Sequence, residues 1–213
     1  MMLGPEAFYE EALKGKTPAQ MKGVIRSLKQ QIGRLKNKVE HPDYQPVGCP
    51  AADVQIACLY EYLERAKTAL SEVGEPYVPS AAEEKAAAFE ALLPHLEKLE
   101  FSLGGLFCGF EKRVCTVQGD QICVESLPQD PDEGPVIWDK KEFLAFLSTL
   151  RLGQWRKRYD PRRFGFAVMD GVQWILTLSF SNGHRPVCFW GDNAYPYNFD
   201  RLLALVGVER WSV

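Results

Sequence analysis

The 213-residue chain is 46% hydrophobic and 25% charged, the composition of an ordinary folded protein with ample apolar mass for a core. A formal net charge of −3 excludes a generally basic, histone-like binder but leaves room for local cationic surfaces. No apolar run approaches the ~18 residues of a membrane span, and the acidic start MMLGPEAFYEEALKGK is unlike a secretion signal. A cytoplasmic protein without membrane contact is expected.

The first 79 residues predict a helical module. A short helix is expected from Pro5 to Leu13, ending near Gly15. Thr17-Pro18-Ala19-Gln20 has the form of a capping box with proline at the first helical position. Behind it Met21, Val24, Ile25, Leu28, Ile32, Leu35 and Val39 recur at helical spacing and fall on one stripe. A second long helix is predicted over 53–73, with Ile56, Leu59, Tyr60, Leu63, Ala66, Leu70 and Val73 as its stripe and Gly74 at its end. Two such stripes hide each other most simply in an antiparallel helical hairpin.

Residues 75–79 then read as a linker to a second domain over 80–213. Ser80-Ala81-Ala82-Glu83 opens an alanine-rich helix that should end near Pro94. Beyond it the period changes to alternation. Strands are expected around Leu99, Phe101 and Leu103, then over 106–117 and 121–127, with Gly104-Gly105 and Gln118-Gly119-Asp120 as turns. The acidic, breaker-rich PQDPDEGP loop follows, and Asp139 caps a helix carrying Phe143, Phe146, Leu147 and Leu150. Phe164–Met169, Asp170-Gly171 and Val172–Phe180 together have the form of a type I′ hairpin. Val172, Trp174, Leu176, Leu178 and Phe180 share one face of its second strand. A strand from Arg185 to Trp190 and a helix over 198–206 complete the chain. The expected class is α+β: an antiparallel sheet of about six strands, covered by helices, behind a helical hairpin.

The six cysteines include no CxxC pair, and the three histidines are isolated, so no metal site is expected. Free thiols in a reducing compartment fit a chain large enough to need no staples. The GxSxG, HExxH, P-loop and GxGxxG signatures are absent, so no cofactor and no catalytic residue is assigned.

Charge is the most uneven feature. Eight cations and no acid occur between Lys14 and Lys38. Of these, Lys22, Arg26, Lys29, Arg34 and Lys36 are candidate contacts for a nucleic-acid backbone. They are also what a solvated helix face looks like, compensated by Glu61, Glu64 and Glu72 of the next helix, as most charge runs are. A second cluster, Arg156-Lys157-Arg158-Tyr159-Asp160-Pro161-Arg162-Arg163, places five cations in eight residues. It is a candidate anion site, or a charged loop shielding a strand edge.

A third candidate is the segment 184–199, where His184, Arg185, Trp190, Asp192, Asn193, Tyr195 and Tyr197 offer the ingredients of a pocket. They are also the ingredients of a stapled strand-to-helix corner.

The run from Arg26 to Pro42, RSLKQQIGRLKNKVEHP, resembles the N-terminal segment of a group of short uncharacterised bacterial proteins. So do Asp170-Gly171-Val172-Gln173-Trp174, Ser181-Asn182-Gly183-His184 and GDNAYPYNF over 191–199. The resemblance implies a bacterial cytosolic accessory protein and assigns no functional residue. The leading expectation is a non-enzymatic protein that binds another protein, a second copy of itself included. Nucleic acid at the two basic clusters is the first alternative, and an enzyme or small-ligand binder at the 184–199 corner the second.

Overall fold

The computed structural model describes residues 3–46, 48–105, 109–128, 134–166, 168 and 171–208. The chain divides into two compact units, Met1–Pro79 and Ser80–Val213.

The first unit holds helices α1 (Pro5–Ala12), α2 (Pro18–Val39) and α3 (Ala52–Glu72). At the start of α2, Thr17 Oγ1 accepts the Gln20 N–H at 3.3 Å and the Gln20 side chain accepts the Thr17 N–H at 2.9 Å. That reciprocal pair satisfies two donors the first turn would otherwise strand. Met21, Ile25, Leu28 and Ile32 of α2 are buried, as are Ile56, Leu59, Leu63, Ala66 and Leu70 of α3. The helices run antiparallel: Lys22 near the start of α2 bonds Glu75 beyond the end of α3, and Lys36 near its end lies over Tyr60 early in α3. Gly74, at φ +80°, turns the chain out of α3. The hairpin acquires a third member, because α1 packs on α3 through a stacked Phe8–Tyr62 pair at 4.3 Å, and the Tyr62 hydroxyl donates to the Leu3 carbonyl at 2.7 Å.

The second unit is α+β. In order it contains α4 (Ala81–Glu90), β1 (Leu96–Gly105), β2 (Gly109–Gln118), β3 (Gln121–Leu127), β4 (Val136–Asp139), α5 (Lys140–Thr149), β5 (Arg158–Tyr159), β6 (Gln173–Phe180), β7 (Val187–Asp192) and α6 (Phe199–Val206). The strands form one seven-stranded sheet in the order β4-β3-β2-β1-β6-β7-β5. Every pairing is antiparallel except β5 with β7. No helix among the described residues is long and apolar enough to cross a membrane.

Three local expectations differ from this sheet. Phe164, the expected start of a strand, instead closes a turn of 3₁₀ helix over 161–164, because the Asp160 side chain accepts the Arg162 N–H at 2.9 Å and Gly165 follows at φ +84°. The expected 164–169 hairpin partner of β6 is replaced by β1 and β7, which occupy both of its edges. Ala167 and Met169 of that expected strand, and Asp170 of its turn, lie outside the described residues. Gly104 and Gly105 are paired strand residues at the end of β1, not a turn. The two short strands β4 and β5 raise the count from about six to seven.

One face of the sheet is the core. Leu99, Phe101, Leu103, Cys115, Ile122, Trp174, Leu176, Leu178 and Phe189 are buried there against Phe89 of α4, Phe143 and Leu147 of α5, and Phe199, Leu202 and Val206 of α6. Asp139 caps α5 by accepting the Glu142 N–H at 3.0 Å, and Gly207 at φ +67° ends α6. The described cysteines, Cys49, Cys58, Cys115, Cys123 and Cys188, are free thiols.

Candidate functional site

The cations of α2 belong to the first unit and are largely engaged within it. Lys22 Nζ reaches Glu75 at 2.9 Å. Lys29 Nζ donates to the Tyr77 hydroxyl at 2.5 Å, and both Lys29 and Lys67 lie over the Tyr77 ring. Lys36 lies over the Tyr60 ring at 5.2 Å. Arg26 and Arg34 are exposed. Glu64 and Glu72 pair with Lys67 and Arg65 of their own helix, at 3.0 and 3.4 Å. Lys29 and Lys36 meet tyrosine rings, and Lys22 meets Glu75.

The 156–163 cluster lies in the second unit, where β5 is inserted beside β7. Parallel pairing sets Arg158 beside Trp190 and Tyr159 beside Gly191, and the Trp190 N–H donates to the Lys157 carbonyl at 3.1 Å. Alternation then sends the two residues of β5 to opposite faces. Tyr159 is buried among Trp155 and Trp174, at ring distances of 6.3 and 5.7 Å. Arg158 faces outward with its guanidinium carbon 4.5 Å from the Trp190 ring centroid. Asp160 accepts from Arg158 Nη2 at 2.7 Å, and the Arg162 backbone N–H is the main reason its carboxyl lies below the ordinary range. Lys157 Nζ sits 4.2 Å from the Phe189 ring centroid. Burial, and then the neighbouring Lys85 ammonium, hold its amine below the usual lysine value. Arg156, Arg162 and Arg163 are exposed.

The 184–199 residues do not converge. His184 and Arg185 precede β7, near Val187, which pairs Leu178, whereas Asp192 pairs Gln173 at the strand's far end. Seven residue-to-residue steps of extended chain separate Arg185 from Asp192, about 23 Å at ~3.3 Å each. His184 is exposed, with Nδ1 2.7 Å from the Arg185 carbonyl and its ring edge-on to Phe180.

At the other end Asn193, at φ +46°, acts as a surrogate strand residue. Its N–H donates to the Val172 carbonyl at 2.9 Å and its Oδ1 accepts the Val172 N–H at 2.8 Å. Asn193 Nδ2 donates to Asp192 at 3.0 Å. The Trp174 indole N–H donates to the Ala194 carbonyl at 2.9 Å, and a Cβ at Gly191 would collide with that indole. Tyr195 packs on Phe199 at 4.8 Å, with its hydroxyl pKa raised by burial and then by Asp192, and Tyr197 is half-buried. This end of the segment is a hydrogen-bonded corner closing the core. Among the described residues no group of three His, Cys, Asp or Glu side chains could hold a metal.

A surface that the sequence reading did not single out is the face of the sheet opposite the helices. Register places Phe110, Lys112, Val114 and Thr116 of β2 there, with Lys98, Glu100 and Ser102 of β1, Ile175 and Thr177 of β6, and Cys188 and Trp190 of β7. Cys123 and Leu127 of β3 and Ile137 of β4 extend it. Five large apolar side chains on this face are exposed: Phe110 by 54%, Ile137 by 52%, Ile175 by 49%, Leu127 by 44% and Trp190 by 38%. Its centre is neutralised by Glu100, which bonds Lys98 at 3.1 Å and Lys112 at 2.7 Å. Those two ammonium groups hold the Glu100 carboxyl below its ordinary value of 4.5. The signal in the sequence was apolar residues at the wrong parity, Ile175 between Trp174 and Leu176, and Trp190 after Phe189. A cleft of about 40 Å³ beside Arg113 and Gly207 is far below the ~300 Å³ at which ligand pockets begin.

Comparison of the chain with protein families, with curated proteins and with solved structures returns no match.

Proposed function

We propose that this chain is a non-enzymatic accessory protein that binds another protein through the helix-free face of its sheet. The observation that carries the reading is the exposure of Phe110, Leu127 and Ile137 on the β2–β4 half of that face. Several large apolar side chains in water on one surface are a feature that an interaction interface accounts for, because covering them removes apolar area from water. The Lys98–Glu100–Lys112 cluster beside them supplies the polar rim that orients a partner. The cysteine spacing and the resemblance to bacterial accessory proteins support a reducing bacterial cytosol as its compartment.

The test is gel filtration of the chain expressed at native level in its host. Wild-type protein should elute with a partner. Phe110→Asp combined with Ile137→Asp should elute alone, with an unchanged melting curve. Identical elution of the two would refute the reading.

A further inference from the structure

Helix α2 runs for 22 residues with cations at Lys22, Arg26, Lys29, Arg34, Lys36 and Lys38 and no acid. Half of those cations serve the fold. Lys22 is tied to Glu75, Lys29 to Tyr77 and Lys36 to the Tyr60 ring, along the flank beside α3. Arg26, Arg34 and Lys38 are exposed and make no ion pair among the described residues. Lys22, Arg26, Gln30, Arg34 and Lys38 stand at every fourth position, so they form one ridge of side chains with ~6 Å of rise per step. At ~100° per residue, Arg26 to Lys38 of that ridge lie within about 120° of arc, opposite the buried Met21, Ile25, Leu28 and Ile32. Gly23, Ser27, Gln31 and Asn37 are interleaved with it, so from Lys22 to Lys38 the outer face holds no apolar side chain. Like charges four residues apart on a helix repel, as Lys22 and Arg26 do, and Arg34 and Lys38. A polyanion laid along the ridge removes that repulsion.

We propose that this ridge binds double-stranded DNA, with α2 lying in the major groove, Arg26, Arg34 and Lys38 against phosphates and Gln30 facing base edges. The major groove of B-form DNA admits an α-helix, and arginine and glutamine side chains carry the donors that phosphates and base edges accept. The deep, narrow major groove of an RNA duplex does not admit one. A protein partner would be held by burying apolar area, and this face has none to bury. A single strand would be held by stacking, and the tyrosine rings beside α2 are already covered by Lys29, Lys36 and Lys67. The ridge belongs to the first unit and the exposed apolar face to the second, so the two sites stand or fall separately.

The test is fluorescence anisotropy of the full chain with a labelled random-sequence DNA duplex of about 20 base pairs. With three phosphates neutralised the log–log salt slope should be about −2.7, an affinity loss of about 40-fold between ~50 and ~200 mM salt. Arg26→Gln with Arg34→Gln should weaken binding by at least ~10-fold at ~50 mM salt and make the slope shallower by about 1.8. Gln30→Glu separates binding from folding. A carboxylate four residues from both Arg26 and Arg34 strengthens the helix, so the melting temperature should hold or rise while duplex affinity falls by at least about 10-fold. Arg162→Gln with Arg163→Gln removes the same charge from the second unit and should leave affinity within about 2-fold. Absence of binding at ~50 mM salt would overturn the proposal, as would a Gln30→Glu chain that binds like wild type. Equal losses from the two double variants would assign the binding to net charge and overturn it too. Tighter binding of oligo(dT) of the same length, or poly-glutamate competing as well as unlabelled duplex, would give the ridge to a single strand or an acidic protein and count against it equally.

Discussion

Trp174 is the largest fully buried side chain among the described residues, and replacing it tests the reading of both the core and the corner. It is 0% exposed, with the rings of Phe199, Tyr159 and Trp155 at 5.0, 5.7 and 6.1 Å. Truncating a large buried aromatic to alanine costs about 3–5 kcal/mol through lost contacts and the cavity left behind. Here the truncation also leaves the Ala194 carbonyl without the indole N–H that satisfies it at 2.9 Å. An orphaned buried acceptor adds at least about 1 kcal/mol. The expected loss for Trp174→Ala is therefore about 4–6 kcal/mol, comparable with the whole stability of many domains, about 5–15 kcal/mol. Trp174→Phe keeps a ring in place and should lose about 1–3 kcal/mol. His184→Ala, at an exposed site, should lose under about 1 kcal/mol. Urea melts of the full chain followed by near-ultraviolet circular dichroism rank the three. Refutation would be a His184 variant more damaged than the Trp174→Ala variant, since that would put the structural weight of the 184–199 segment at its wrong end.

Two further outcomes follow from the titrating groups. Lys112 and Lys98 lower the folded-state pKa of Glu100 beneath its ordinary 4.5, so the stability this carboxylate contributes is present above pH 4.5 and lost as pH falls through the lowered value. Glu100→Gln should flatten the acid limb of the stability–pH profile below pH 4.5, and an unchanged limb would count against the ion cluster. Burial pushes the Cys115 thiol up to about 12, whereas Cys49 and Cys188 are exposed. Alkylation of the native chain at neutral pH, mapped by mass spectrometry, should label Cys49 and Cys188 and spare Cys115 until denaturant is added.

Much of the fold was legible because it is written in local periodicity. The stripe from Met21 to Ile32 and the Thr17–Gln20 capping box define α2 without reference to any other element. The alternation of Trp174, Leu176, Leu178 and Phe180 likewise defines β6, and all four are buried as that pattern requires. Asp139 and Gly207 mark the start of α5 and the end of α6 by their own hydrogen-bonding and conformational preferences.

What only the tertiary structure decided is non-local. A two-residue strand such as β5 has no period to detect, and it exists because β7 offers an edge to Arg158 and Tyr159. Residues 164–169 are apolar enough to suggest a strand, but both edges of β6 are taken by β1, some seventy residues earlier in the chain, and by β7. In the 187–192 segment Phe189 and Trp190 are adjacent rings, and nothing in their order says which turns inward. The helices pack over Phe189, and pairing with β5 then sets Arg158 over the ring left outside. Which residues bury was therefore readable wherever one face alone was apolar. Where both faces carried apolar side chains, the choice fell to the partners that folding brought alongside.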